Sequence, residues 1–199
     1  NIIIVILEII GFTISIQHIE GIGLNYFTQE SNLFALIVCL IFIVLIIKNL
    51  KNKTNVFPKW IKVSRSIVVV SLTTTLLVSF FILSRMITEM GLFNIMFTSS
   101  MLYHHTLCPL LMLISFLFFE EINFNKKIYY LIGIAHVLVY GVITMFLNII
   151  HVMDGPYPFL KVYDQSIYMS IIWFIAIIGG SYLISYIINV LNRKINKKE

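Results

Sequence analysis

Apolar residues in this chain fall in long, nearly unbroken runs, and short polar segments separate one run from the next. A helix needs about 20 largely apolar residues to cross a bilayer. Six runs approach or meet that length, at residues 2–19, 31–47, 66–85, 97–119, 128–150 and 167–191. Inside lipid a backbone must satisfy its own N–H and C=O groups, so helices are the expected form. A membrane β-barrel would show period-two alternation in short segments, and Leu40-Ile41-Phe42-Ile43-Val44-Leu45 shows none. The pattern predicts an all-α polytopic membrane protein. One six-transmembrane-helix bundle is expected, with residues 1–199 as a single domain and no linker or internal repeat.

The cationic residues give the bundle a direction. Lys48, Lys51, Lys53, Lys59, Lys62 and Arg65 separate the second and third runs; Lys126 and Lys127 separate the fourth and fifth; Arg193, Lys194, Lys197 and Lys198 follow the sixth. In a six-helix arrangement all of these share one side, and only Arg85 and Lys161 fall on the other. The positive-inside rule makes the rich side cytoplasmic, with both termini there (N-in/C-in).

Composition changes the solvent rather than the fold. The chain is 59% hydrophobic and 12% charged, whereas a soluble domain is about a quarter charged. Too few charged residues exist to cover a water-soluble surface of this size. The net charge of +5 flanks the spans, where it meets anionic headgroups, so no nucleic-acid partner is expected and membrane lipids are. Cys39 and Cys108 both lie in apolar runs, so neither a disulfide framework nor structural zinc is read from them. The first run lacks a small-residue cleavage pattern and is expected to be a retained helix. Heavy use of Ile, Asn and Lys points to an AT-rich bacterial coding sequence and hence to a bacterial plasma membrane.

Polar residues outside the basic loops collect at the opposite, external side. The first external loop holds His18, Glu20, Asn25, Tyr26, Thr28, Gln29, Glu30 and Asn32; Arg85, Glu89, His104 and His105 flank the second; His151, Asp154, Tyr157 and Tyr163 lie in the third. Polar groups at a membrane boundary are costly unless partnered, which makes the cluster a site hypothesis; a solvated rim is the plainer alternative. Thr28 in Tyr26-Phe27-Thr28 suits a helix N-cap, or a nucleophile if a base lies within reach. In Tyr103-His104-His105-Thr106-Leu107-Cys108-Pro109, a neutral imidazole is a suitable base. Adjacent helical residues point in different directions, so at most one of the two is expected to face the bundle interior. Asp154-Gly155-Pro156-Tyr157-Pro158-Phe159 cannot continue a helix and forms a shaped turn, a candidate lid or pocket wall. Glu8 and His136 lie within spans, as a pair, a proton path or satisfied structural groups.

Taken together, Tyr26-Phe27-Thr28 before the second span, a His upstream of Pro109 in the fourth, and Tyr157-Pro158-Phe159-Leu160 before the sixth resemble the family of androgen-induced and androgen-dependent TFPI-regulating membrane proteins and their bacterial relatives. The resemblance covers most of the chain and rests on these three motifs. It implies a multi-pass threonine hydrolase of fatty acid esters of hydroxy fatty acids, working without a cofactor, with an intramembrane Thr and His. The Thr matches Thr28. The His matches His104 by the spacing of mammalian members and His105 by the shorter spacing of bacterial ones. Asn32, Arg85, His151, Tyr157 and Phe159 are then candidate substrate-binding residues, and no metal ligands are assigned. Glu20, Glu30, Glu89 and Asp154 are candidates to orient the imidazole, and amides opening the second helix are candidates for the oxyanion. A non-catalytic lipid or solute carrier, with Gly179-Gly180 as a helix interruption or packing site, and a zinc-dependent lipid hydrolase are the alternatives.

Overall fold

A computed structural model describes residues 1–18, 23–54, 56–121 and 126–196, with the side chain of His18 outside that description. Every regular element among the described residues is helical. In chain order these are α1 (Ile2–His18), α2 (Phe27–Asn52), α3 (Lys59–Met86), α4 (Gly91–Phe97), α5 (Ser99–Phe119), α6 (Ile128–Gly133), α7 (Ala135–Ile149) and α8 (Ile167–Ile195). Helices α2, α3, α5 and α8 are long and apolar enough to cross a membrane, and α1 and α7 are shorter apolar helices. Large apolar side chains such as Ile3, Val44, Phe81, Phe146 and Ile175 stand exposed on these helices, a surface suited to lipid rather than water.

Helix α3 is the centre of the bundle. Val68, Val69, Val70, Ser71 and Leu72 are all buried although they point in every direction around the helix. Around it pack α2, α5, α6 and α8. The helices are joined by small polar side chains, each giving one interhelical hydrogen bond. Gln29 donates to Ser15 (3.0 Å) and Thr74 to Ser181 (3.3 Å), while the hydroxyls of Ser31 and Thr75 lie 3.2 Å apart. In lipid such bonds replace water as partner for groups that would otherwise be bare.

Three boundaries differ from the run-based expectation. Helix α3 begins at Lys59 rather than residue 66, so Lys62 and Arg65 are helical. Arg65, expected in a basic loop, is fully buried and paired with Glu120. The fifth run is broken between α6 and α7 at Ile134 (φ −91°, ψ 3°). Just before the break α6 crosses α8 so closely that a Cβ on Gly133 would lie 2.3 Å from Ser185 Oγ, so that any side chain there would require the Ser185 hydroxyl to turn away. Gly179 and Gly180, by contrast, face open space within an unbroken α8 and pack against nothing.

Both α3 and α5 contain a π-helical turn, at Ser79–Leu83 and Leu102–Leu107. A π turn inserts a residue and re-aims those around it, and such turns recur at functional sites. The turn in α5 carries both adjacent histidines.

Candidate active site

Helix α2 starts one turn earlier than its apolar run, with Tyr26 as an extended N-cap whose carbonyl accepts from Gln29 N–H (3.0 Å) and Glu30 N–H (3.1 Å). Thr28 therefore lies inside the first turn, and its side chain does not cap the helix. Its own amide, one of the orphan donors of a helix start, bonds the Tyr157 hydroxyl oxygen at 3.2 Å. The Thr28 hydroxyl is thereby left for other partners.

One of those partners is His105. Thr28 Oγ1 lies 3.2 Å from His105 Nε2, and His105 Nδ1 lies 2.6 Å from the carbonyl oxygen of Ile95. A carbonyl only accepts, so Nδ1 carries the ring proton and Nε2 is the bare nitrogen. Thr28 O–H then donates to Nε2, the arrangement a general base requires. Tyr157 Oη is 3.4 Å from Thr28 Oγ1; with the Thr28 proton donated to Nε2, the phenol O–H is the donor of that pair.

The carbonyl that orients His105 is available for a structural reason. Short helix α4 ends where Thr98 turns extended (φ −114°, ψ 148°), leaving its last carbonyls without helical partners. His105 takes that of Ile95, and the Thr106 hydroxyl takes that of Met96 (2.7 Å). Consecutive side chains of the π turn thus cap α4 and hold the imidazole in one tautomer. Among the described residues no carboxylate performs this task. Glu89 and Asp154 are exposed, Glu30 Oε2 lies 3.7 Å from His136 Nε2, and Glu20 lies outside the described residues.

The neighbouring histidine faces another way. His104 is buried against α1, with Nε2 3.6 Å from Glu8 Oε2 and its ring 4.7 Å from that of Phe12. Its backbone joins the site instead: Asn32 Nδ2 donates both to the Thr28 carbonyl (2.7 Å) and to the His104 carbonyl (3.2 Å), bracing α2 against the π turn. His136, the other histidine within a span, lies 3.1 Å from Ser71 Oγ through Nδ1.

Tyr157 is held by the turn that follows α7. Its ring stacks on Phe159 (5.3 Å, 10°), and the 3-10 turn Pro158–Leu160 fixes both. Burial pushes the Tyr157 phenol up to about 12, with the Thr28 hydrogen bonds opposing the rise, so it stays protonated at neutral pH. Arg85 and His151 are exposed. His151 takes the left-handed position just past the end of α7 (φ 58°) and stacks on Tyr163 (4.4 Å), away from Thr28.

The site lies below the end of the bundle. Tyr140 Oη donates to the Asn25 carbonyl (2.8 Å), which sets the start of α2 level with Tyr140, and α7 continues from there to Ile149. At 1.5 Å per residue that is roughly 13 Å of further helix.

Two cavities meet at Thr28. A narrow one of about 50 Å³ is lined by Phe27, Val137, Tyr140, Phe159, Trp173 and other apolar groups; a wider one of about 350 Å³ carries His104, His105, Gln29 and Ser100. Thr28, Leu83 and Tyr157 line both. Among the described residues, no three His, Cys, Asp or Glu side chains are grouped to hold a metal ion.

Comparison with known proteins identifies no relative: no family model, no curated protein and no solved structure matches the chain.

Two components of this arrangement carried no mark in the sequence. The Ile95 carbonyl is a backbone group, and the partnership of Glu8 with His104 joins residues with no shared motif. The closeness of Tyr157 to Thr28 had a signal in the Tyr-Pro-Phe turn, read as a pocket wall.

Proposed function

We propose that this chain is an integral membrane hydrolase of fatty acid esters, with Thr28 as nucleophile and His105 as base. The observation that carries the reading is the 3.2 Å contact between Thr28 Oγ1 and the unprotonated nitrogen of an imidazole held by Ile95. A threonine alone is unreactive at neutral pH, and a bare imidazole nitrogen within hydrogen-bond reach is what activates it. The family resemblance of the Tyr-Phe-Thr, His and Tyr-Pro-Phe motifs supports the same chemistry.

In the proposed reaction Thr28 Oγ1 bonds to the ester carbonyl carbon as its proton passes to His105 Nε2. The carbonyl oxygen becomes an oxyanion, and the Tyr157 O–H, already beside Thr28, donates to it. Amides opening α2 assist indirectly, by bonding the phenol oxygen rather than the oxyanion. The bond to the alcohol oxygen then breaks and that oxygen takes the proton from His105, leaving acyl-Thr28. Water next gives a proton to His105 and adds to the acyl carbon; the carboxylic acid departs as Thr28 recovers its proton.

The chain is further proposed to cross a bacterial plasma membrane six times, with α6 and α7 together forming one crossing and both termini cytoplasmic. The site would then open toward the external side. The grouping of Lys and Arg at one end of the helices supports this orientation. Labelling of single cysteines placed at Lys53 and Asp154 by an impermeant maleimide tests it; reaction from outside at Asp154 alone is expected, and the reverse would overturn the topology.

The chemistry is tested on purified protein with nitrophenyl fatty esters and a fluorophosphonate probe. Thr28→Ala is expected to abolish turnover and labelling, and Thr28→Ser to retain measurable turnover. Full activity in Thr28→Ala would remove the nucleophile assignment.

A further inference from the structure

We infer that the narrow apolar cavity holds the acyl chain of the substrate, and that its floor, made by Thr74, Val137 and Ile178, sets the longest acyl chain accepted. The inference rests on the hydrolase reading and adds which half of the ester goes where.

The assignment follows from where His105 opens. In the first step the departing alcohol must take its proton from His105, and in the second the attacking water must give one to it. Both must therefore occupy the side of Thr28 that His105 lines. His105 lines the wider cavity and not the narrow one. The acyl group stays bonded to Thr28 between these steps, and the narrow cavity is a space beside Thr28 and Tyr157 that His105 does not line.

The lining agrees with that assignment. The narrow cavity is walled by Val137, Tyr140, Phe159, Trp173 and Ile177, and no charged side chain lines it. Of its polar side chains, Thr74 is committed to Ser181, Thr75 to Ser31 and Tyr140 to the Asn25 carbonyl. A hydrocarbon chain loses nothing there, whereas a phosphate or sugar headgroup would be stripped of water without compensation. Gln29, Ser100 and the His105 imidazole give the wider cavity the donors and acceptors that an alcohol and water need.

The floor is identified by chain position. Of the lining residues, Thr74, Val137 and Ile178 lie nearest the Lys59, Ala135 and Ile195 ends of α3, α7 and α8, opposite the end at which Thr28 enters.

The test measures kcat/KM for nitrophenyl butanoate, octanoate and hexadecanoate in detergent-purified protein. Val137→Phe, which raises the floor, is expected to lower the hexadecanoate-to-butanoate ratio about tenfold or more, the scale on which a filled hydrophobic pocket discriminates. Val137→Ala and Ile178→Ala, which deepen it, are expected to raise the ratio and keep the inference testable if Val137→Phe does not fold. An unchanged ratio in both alanine variants, with turnover still dependent on Thr28, overturns the acyl assignment alone. So does a ratio that shifts instead with Met101→Trp in the wider cavity. Retained turnover in Thr28→Ala overturns both this assignment and the hydrolase reading.

Discussion

His105 Nε2 and Thr28 Oγ1 lie 3.2 Å apart although the residues are separated by 77 positions in the chain. The contact joins the start of one helix to the group that caps the end of another. Thr28 presents its hydroxyl from the first turn of α2 because Tyr157 caps its amide, and His105 reaches it because a π turn in α5 swings the ring toward α2 while its other nitrogen seals the end of α4. Each partner is thus positioned by a backbone end that required satisfaction in any case.

From this follows an asymmetry between the two histidines. His105→Asn should lower kcat by roughly 10² to 10⁴-fold, the usual worth of a general base. His104→Asn should act mainly on folding, since His104 packs on Glu8 and Phe12 and contacts no reacting atom. Measuring kcat per folded molecule, with melting temperature in parallel, separates the two. Equal loss of kcat at both positions, with both proteins folded, would remove the distinction.

Tyr157→Phe keeps the ring stacked on Phe159 and removes one hydroxyl. An oxyanion donor is worth about 10² to 10³-fold in kcat, with little change in KM. The same variant has a pH signature. The phenol is raised from 10.0 to about 12 by burial, so the folded state holds its proton more tightly than the unfolded chain. Stability from this group is complete below pH about 10 and is lost as pH climbs through about 12. Alkaline melting curves should therefore fall more steeply over that window in the wild type than in Tyr157→Phe. Parallel curves would mean that the phenol is not buried as described.

Much of this was legible in the sequence, for reasons that differ by feature. Long apolar runs announce spanning helices because lipid leaves the backbone no other form, and α2, α3, α5 and α8 fall where those runs lie. Thr28 and Tyr157 stood in short motifs of unusual composition. The choice between His104 and His105 was not legible, because it depends on a π turn, and nothing in Tyr103-His104-His105-Thr106 distinguishes a π from an α turn before the packing of α4 is known. Arg65 was misplaced for a related reason. A cation beside other cations looks like a loop flank until Glu120, 55 positions later, arrives to pair with it.

Gly11 is where α1 meets the π turn. A Cβ at this position would lie 2.5 Å from His104 Nε2 and 2.9 Å from Tyr103 Cβ, and the second contact has no flexible end to move aside. Alanine would gain about 1 kcal/mol of helix propensity over glycine, but overpacking typically costs about 1–3 kcal/mol. Gly11→Ala should therefore lower the melting temperature, and Gly11→Leu should lower it further or prevent folding. A stabilised Gly11→Ala protein would show that α1 sits further from α5 than described.

At the opposite end of the bundle Arg65 is fully buried. Its guanidinium donates to both carboxylate oxygens of Glu120, with the Nε bond at 2.9 Å, and also to Cys39 Sγ (3.1 Å) and Ser115 Oγ (3.3 Å). Phe42 lies under the guanidinium at 4.8 Å. Two buried charges that satisfy each other contribute little net stability, because desolvation offsets their attraction, yet removing one leaves the other uncompensated at about 3–5 kcal/mol. Glu120→Gln should thus destabilise strongly, while the double replacement Arg65→Met with Glu120→Leu should recover most of the loss. Thermal unfolding of the single and double variants in detergent measures this directly. A double variant no more stable than Glu120→Gln would mean that the pair holds α3 to the end of α5 by its geometry, and that a hydrophobic contact of similar volume cannot replace it.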